Sequence, residues 1–146
     1  MESYPHISST PQCEAEWFAA LTALARFLRS PAGCPWDRKQ TSRNFAEYSR
    51  EEAGELASSC ASGTNEDMEE EWGDTLFTLL ACMAAAEEEG RFSLGAALEK
   101  AHAKMIRRHG HIFGGHAAET PEDVARMWQK IKMQEQASKN DMNRER

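Results

Sequence analysis

The sequence predicts an all-α protein with a four-helix core and a fifth, C-terminal helix. Apolar residues recur at helical spacing in every long segment, and no segment alternates apolar and polar residues over the length of a strand. Capping and helix-breaking residues separate these segments. With 146 residues the chain can form one hydrophobic core, so we expect one helical domain at about 14–137. A flexible lead-in at 1–13 and a polar C-terminal tail at 138–146 complete the predicted organisation.

The first two predicted helices are separated by a segment that cannot be helical throughout. The first, at about 14–29, carries an apolar face made of four large residues: Trp17, Leu21, Leu24 and Leu28. Two prolines and a glycine in "SPAGCPWD" (30–37) end it. The second helix begins at Thr41 or Ser42 and extends to Ser62, where Gly63 is suited to the position after a helix.

The remaining three predicted helices are bounded by recognisable caps. Asn65 is the expected N-cap of the third helix, which continues to Glu89 and stops at Gly90. Its apolar face consists of Trp72, Leu76, Leu79 and Met83. After Asp74 almost its whole circumference is apolar, which predicts a buried helix. The fourth begins after Ser93 and ends near 107–108, where two arginines complement the helix dipole. In "TPED" (120–123), Thr, Pro and Asp occupy the N-cap, first and third positions of the fifth helix.

The charge balance disfavours nucleic-acid binding. The formal net charge is −7, and the short segment "RRHGH" is the one compact basic patch in the sequence. An acidic chain does not bind the phosphates of nucleic acids by its overall charge, so phosphates that this chain binds are expected to arrive with metal ions.

The sequence also predicts a cytoplasmic location. The longest nearly apolar run, at 75–86, is far shorter than the roughly 20 residues that span a bilayer. The N-terminus lacks the basic start and apolar run of a signal peptide. Four widely spaced cysteines form no CxxC pair, so we expect reduced and mostly buried thiols: Cys13, Cys34, Cys60 and Cys82.

The stretch "EEAGELASSCASGTNEDMEEEWGD" (51–74) contains the same carboxylate pattern twice. It begins with Glu51, Glu52 and Glu55, and it ends with Glu70, Glu71 and Asp74. On a helical wheel the second and third acids of each cluster fall beside apolar residues instead of opposite them. Two antiparallel helices would then direct four carboxylates into one space: Glu52, Glu55, Glu71 and Asp74. Such a set requires compensation by cations, and Mg²⁺ prefers oxygen ligands.

Other interpretations of this stretch stay open on the sequence alone. A glutamate-rich run on a helix is commonly a solvated face, and Glu51, Glu69 and Glu70 fit that description. A di-iron site is disfavoured because neither cluster contains the Glu-x-x-His pattern.

With these residues in view, the chain resembles the MazG family of nucleoside triphosphate pyrophosphohydrolases, in the all-α NTP pyrophosphatase superfamily. The resemblance extends from about Trp17 to Glu135, and "GCPWDRKQT" (33–41) is a very specific match. The other matching motifs are "EEAGE" with "EEWGD", "EEEGRFSL" (87–94), "KMIRRHGHIFG" (104–114) and "WQKIKMQE" (128–135).

The resemblance implies Mg²⁺-dependent hydrolysis of NTPs or dNTPs to a monophosphate and pyrophosphate, as in nucleotide-pool house-cleaning, with Mn²⁺ as a substitute metal. It implies metal ligands at Glu52, Glu55, Glu71 and Asp74. It also implies nucleotide or phosphate contacts from four residues on the last two predicted helices: Lys104, Arg108, Trp128 and Lys132. Within the proposed chemistry, Glu51 or Glu55 orients or deprotonates the attacking water. Trp36 and Lys39 are further candidates for substrate contact.

Several of these residues have plainer interpretations. Arg107 and Arg108 suit the end of a helix, Trp36 a loop anchor, Trp128 a core position, and His109 and His111 structural or surface roles. The alternative functions are a narrow-substrate relative, such as a dCTP or dUTP pyrophosphatase or phosphoribosyl-ATP pyrophosphohydrolase, and a non-catalytic metal-binding adaptor. The apolar third helix and the resemblance predict a homodimer, or two dimers paired into a tetramer.

Overall fold

The computed structural model describes residues 10–115 and 117–144, and every regular element in these ranges is a helix, as predicted. The described elements are α1 (Glu14–Leu28), α2 (Pro35–Lys39), α3 (Ser42–Ser62), α4 (Asn65–Glu88), α5 (Leu94–Arg108), α6 (Gly110–Phe113) and α7 (Pro121–Arg144). The five predicted helices are α1, α3, α4, α5 and α7. The short helices α2 and α6 were not predicted. The chain forms two compact units, one ending at Leu94 and the other beginning at Gly95.

The predicted terminal segments fall only partly within the described residues. Of the lead-in predicted at 1–13, residues 1–9 lie outside them. The segment from Ser138, predicted to fray, is helical to Arg144 because α7 continues through it. Residues 145–146 of the predicted tail also lie outside the described part of the chain.

Side chains at the N-termini of the long helices determine where these helices begin. Thr41 precedes α3, where its hydroxyl accepts from Asn44 N at 3.2 Å and its own N–H donates to Asn44 Oδ1 at 3.0 Å. The same reciprocal pair starts α4, but the cap is Thr64 and not Asn65: its hydroxyl accepts from Asp67 N at 3.1 Å. Asn65 is the first helical residue instead, because the Thr64–Asp67 capping box satisfies the free N–H groups one position earlier.

The predicted caps at the end of α4 and the start of α7 are present. Gly90 follows α4 with φ +68°, a left-handed conformation that favours glycine. Thr120 caps α7, since its hydroxyl accepts from Asp123 N at 3.2 Å and Asp123 Oδ2 accepts from Thr120 N at 3.1 Å.

The core of the first unit is organised around the C-terminal half of α4. One side of this half, with Leu80, Met83 and Ala84, packs against Ala25 of α1. Another side, with Ala81 and Ala85, packs against Phe45 of α3. Two neighbours on different sides explain why α4 is apolar nearly all round here, and the predicted burial is confirmed for residues 80–86 except the half-buried Cys82.

Three large apolar residues that we predicted to face the core are exposed. Trp17 is 53% exposed, Trp72 60% and Leu79 52%. Helix α1 instead buries Thr22 and Ala25. The contacts made by α1 and α3 leave a further side of α4 uncovered in the first unit, so an apolar residue on that side remains in solvent.

Arg29 fixes the segment between α1 and α3. Its side chain is only 6% exposed and pairs with Glu88 at 2.7 Å. Arg29 Nη1 also donates to the carbonyl oxygens of Asp37 at 2.7 Å and Gln40 at 3.1 Å. A methyl group at Gly33 would lie 2.3 Å from the Leu28 carbonyl oxygen, so the chain needs glycine there. These contacts determine where α2 begins and ends.

Two structural predictions about the thiols and the membrane have different outcomes. All four cysteines are free, but Cys13 and Cys60 are exposed and Cys34 and Cys82 are half-buried, so the prediction of mostly buried thiols was wrong. Cys13 lies directly before α1, and Cys60 lies in the last turn of α3. Within the described ranges, no helix combines the length and apolar character that crossing a bilayer requires.

Candidate functional site

A cluster of three carboxylates lies between α3 and α4. Ser42 at the start of α3 contacts Glu89 after the end of α4, which shows that the two helices are antiparallel. This arrangement brings the middle of α3 beside the N-terminal half of α4. As a result, one carboxylate oxygen from each of Glu52, Glu55 and Glu71 lies within 4.8 Å of the other two.

The pKa values of Glu52 and Glu71 in this cluster are raised. The pKa of Glu71 is raised first by burial and then by the charges of neighbouring acids, of which Glu55 has the largest effect. The pKa of Glu52 is raised by burial and then by the charges of Glu55, Asp74 and Glu51. Both shifts have the direction expected for carboxylates that lose water and face like charges.

The cluster fits a hard divalent cation. Glu71 Oε2 is buried and has no hydrogen-bond partner among the described residues. No ion pair in the described part of the chain involves Glu52, Glu55 or Glu71. Mg²⁺ takes oxygen ligands, and one or two carboxylates with waters are enough to hold it. A cation here would satisfy the unpartnered oxygen and reduce the repulsion between the acids.

Asp74 and Glu51 lie at the edge of this cluster. Asp74 is exposed and outside the group of three, although its charge contributes to the raised pKa of both Glu52 and Glu71. Glu51 is exposed and acts on the pKa of Glu52 by its charge. The role of Asp74 as a metal ligand and that of Glu51 as a base stay predictions.

Trp36 has features of both a loop anchor and an exposed platform. Its ring meets Phe45 edge-on at 6.2 Å between centroids and lies at 5.7 Å from Tyr48 with the planes tilted by 33°. Even so, the residue is 53% exposed. Tyr48 is one helical turn before Glu52 on α3, so this aromatic group lies beside the carboxylate cluster in the first unit. Lys39, the last residue of α2, is exposed.

The predicted basic residues of the second unit differ in their surroundings. Lys104 on α5 and Lys132 on α7 are exposed, and neither belongs to an ion pair within the described ranges. Arg108 is 22% exposed and donates from Nη2 to Glu135 Oε2 at 2.7 Å. Arg107 also contacts Glu135, through Oε1. Arg107 and Arg108 are therefore more than charges at the end of α5, because both pair with one carboxylate on α7.

Glu135 is the residue of this region that the sequence analysis missed. The two arginines lower its pKa to about 2, with Arg108 making the larger contribution. A signal was present in the sequence, because Trp128, Ile131 and Glu135 are spaced i, i+3 and i+7 and so share one face of α7. Because Trp128 was already a candidate for substrate contact, the other residues of its helix face, including Glu135, could have been considered with it.

Trp128 and its histidine neighbours form a half-buried cluster in the second unit. The His109 ring meets Trp128 edge-on at 5.4 Å and lies 5.8 Å from the His111 ring. Among the described residues, three buried nitrogens have no hydrogen-bond partner here: Arg108 Nε, His111 Nδ1 and Trp128 Nε1. A buried donor without an acceptor is costly, which is a reason to expect an acceptor from a ligand or from another chain.

Comparison with known proteins gives a consistent family. The MazG nucleotide pyrophosphohydrolase domain matches residues 40–113. A nucleoside triphosphate pyrophosphohydrolase of Escherichia coli strain K12 is 36% identical over 119 residues, which are 82% of this chain and 45% of that protein. The nucleoside triphosphate pyrophosphohydrolase/pyrophosphatase MazG of Thermotoga maritima is 36% identical over 122 residues, 84% of this chain and 46% of that protein.

The uncharacterised protein YabN of Bacillus subtilis is 36% identical over 118 residues, covering 81% of this chain and 24% of YabN. The chain thus spans less than half the length of each of these three curated relatives. No solved structure gives a significant match.

Proposed function

Because this chain belongs to the MazG nucleotide pyrophosphohydrolase family, we propose that it hydrolyses nucleoside triphosphates, NTPs or dNTPs, to the monophosphate and pyrophosphate. The observation that carries the proposal is the cluster of Glu52, Glu55 and Glu71, with a buried oxygen on Glu71 that has no partner among the described residues. Nucleotide-pool house-cleaning in the cytoplasm is the proposed role.

We assign Mg²⁺, with Mn²⁺ as a substitute, to the three clustered carboxylates with Asp74 as a fourth ligand. When bound, such an ion neutralises phosphate charge and makes a bound water more acidic. The second function of the acids is to hold the nucleophile. A carboxylate oxygen of Glu51 or Glu55 accepts a hydrogen bond from the attacking water and then its proton. Exposure of Glu51 supports this role, since its carboxylate is open to solvent.

Lys104, Arg108 and Lys132 are proposed to contact the phosphates and to stabilise negative charge on the departing pyrophosphate. The two lysines are exposed and outside the ion pairs of the second unit, so their ammonium groups are available. The buried Arg108 Nε, which has no acceptor among the described residues, supports a contact with a phosphate oxygen.

Two tryptophans are the proposed contacts to the base. Trp36 presents an exposed ring in the first unit, and Trp128 has a buried indole N–H that lacks an acceptor within the described ranges. Lys39 is a third proposed substrate contact, because it is exposed and is the last residue of α2, the helix that carries Trp36.

We also propose a homodimer, with a dimer of dimers as the alternative assembly. The support is an exposed apolar surface on α4 formed by Met68, Trp72 and Leu79. Monomeric proteins seldom leave several large apolar side chains together in solvent, whereas homodimer interfaces are rich in them.

The experiment is incubation of the protein with individual NTPs and dNTPs plus Mg²⁺, followed by identification of both nucleotide and phosphate products. The proposal predicts a monophosphate and pyrophosphate in equal amounts. A diphosphate with orthophosphate would contradict it. Turnover of a single nucleotide would identify a narrow-substrate enzyme such as a dCTP or dUTP pyrophosphatase. Metal binding with no turnover of any nucleotide, including phosphoribosyl-ATP, would identify a metal-binding adaptor.

A further inference from the structure

We propose that Glu135 is a positioning residue that holds the Arg108 guanidinium ready for the phosphates of the substrate. The inference rests on the proposed function, because it assumes that Arg108 contacts a triphosphate. It adds a residue on α7 whose carboxylate acts through the arginine and does not itself touch the substrate.

Each carboxylate oxygen of Glu135 accepts hydrogen bonds from a different arginine. Oε1 accepts from Arg107, whose Nε lies 3.0 Å away, and Oε2 accepts from Arg108 Nη2 at 2.7 Å. Consecutive side chains on a helix diverge by about 100°. Two neighbouring arginines that converge on one carboxylate therefore constrain each other, and neither can turn away without leaving a charge-assisted hydrogen bond.

The carboxylate occupies only part of the donor capacity of Arg108. Arginine has five N–H donors, and the described contact to Glu135 uses Nη2. Nε is buried and has no partner among the described residues. Glu135 thus holds one side of a guanidinium whose other donors are left for a different acceptor. Its lowered pKa keeps the carboxylate charged at neutral pH.

Positioning and competition predict opposite effects of removing the charge. If Glu135 orients Arg108, its loss allows the long side chain to sample other rotamers, and the substrate must then restrict them on binding. Affinity should fall. If Glu135 instead competes with phosphate for the arginine, its loss should increase affinity.

The experiment measures binding of an NTP whose α and β phosphorus atoms are joined by a methylene group, by calorimetry in Mg²⁺. Glu135→Gln should weaken binding by about tenfold, the effect of losing one charge-assisted contact. Arg108→Ala should weaken it at least as much. The double variant should be no weaker than Arg108→Ala alone, since Glu135 acts through that arginine.

Glu87→Gln is the matched control. Glu87 likewise accepts through both carboxylate oxygens, here from the single arginine Arg26 at 2.8 Å and 3.0 Å. Its side chain is 24% exposed, close to the 19% of Glu135. Affinity should be unchanged in this variant. Should Glu135→Gln not fold, Glu135→Asp tests the same point, because it keeps the charge but shortens the reach.

The outcomes separate this inference from the proposed function. A wild-type protein that neither binds the analogue nor releases pyrophosphate would overturn the proposed function. A wild-type protein that does both, with unchanged or tighter binding in folded Glu135→Gln, would overturn the positioning role alone. The positioning role would also be overturned if the double variant weakened binding by the product of the Glu135→Gln and Arg108→Ala effects.

Discussion

Glu71 and Glu135 are glutamates of the same chain whose pKa values are displaced in opposite directions. Glu71 faces other acids and has a buried oxygen with no partner among the described residues, so its pKa is raised. Glu135 accepts hydrogen bonds from two arginines, and its pKa is lowered to about 2. The same side chain therefore opposes folding when ionised at one position and stabilises the fold at the other.

The lowered pKa of Glu135 predicts a pH-dependent contribution to stability. The folded protein holds this proton less tightly than the unfolded chain, whose value is near 4.5. The stabilisation is therefore complete above about pH 5 and is lost as the pH falls towards 2. Urea unfolding of wild type and Glu135→Gln should give a constant difference in the free energy of unfolding at pH 5–7. That difference should shrink at each step below pH 4.5, and a difference that is independent of pH would contradict the ion pairs.

At the residue scale the sequence predicted the acids better than the cations. The doubled pattern identified Glu52, Glu55 and Glu71 because helix periodicity places them on facing sides. Periodicity shows which side of a helix a residue is on, but not how far its side chain extends. Asp74 was therefore expected in the cluster, whereas the structure leaves it outside the group of three. The pairing of Arg108 with Glu135 joins two helices whose contact no local pattern predicts.

At the element scale, α4 connects the core to the cluster of acids. Its C-terminal half packs against both α1 and α3, and its N-terminal half carries Glu71. The capping box at Thr64 begins this helix one residue away from the predicted cap. Long periodic segments and their caps were predictable. Helices α2 and α6, with five and four residues, are too short to show a period, and local contacts hold α2 in place.

The Arg29 contacts predict that α2 depends on one side chain. Arg29→Ala should lower the free energy of unfolding by about 2 kcal/mol, because two carbonyl oxygens lose their donor in a partly buried place. Arg26→Ala is the control. Arg26 lies in the last turn of α1, one turn before Arg29, and likewise pairs with a glutamate near the end of α4. Its side chain is 48% exposed, so the loss should stay below about 1 kcal/mol.

Urea unfolding of both variants measures these losses, and hydrogen exchange should accelerate over residues 30–40 only in Arg29→Ala. Equal losses in the two variants would show that the buried contacts to Asp37 and Gln40 contribute nothing.

At the scale of the whole molecule, the exposed side of α4 raises the question of what covers it. Trp72 and Leu79 were predicted to lie in the core, and the described residues of the first unit leave both half exposed or more. The sequence shows that a helix is apolar all round but does not show whether the same chain or a second copy covers each side.

The proposed homodimer predicts that a charge on this surface separates the subunits. Leu79→Asp should convert a dimer into a monomer at micromolar concentration, because an unpaired carboxylate in an apolar interface is strongly unfavourable. Phe92→Asp is the control, since Phe92 is 45% exposed and lies outside α4. Light scattering distinguishes the masses. A monomeric wild type, or a dimer that survives Leu79→Asp, would contradict the proposed interface.

Glu71→Gln tests the proposal that Glu71 and its neighbours hold a catalytic metal. Without metal, ionised Glu71 opposes folding at pH values above its ordinary pKa, so the neutral variant should be at least as stable as wild type at pH 7. With Mg²⁺ at a hundred times its dissociation constant, native-state binding stabilises the wild-type protein by about 2.7 kcal/mol. The variant should lose most of that gain. The measurement is four melting curves, of both proteins in chelator and in excess Mg²⁺. If the carboxylates bind Mg²⁺, the order of stability of the two proteins should reverse between the two buffers. An equal destabilisation of Glu71→Gln in both buffers would contradict the metal assignment.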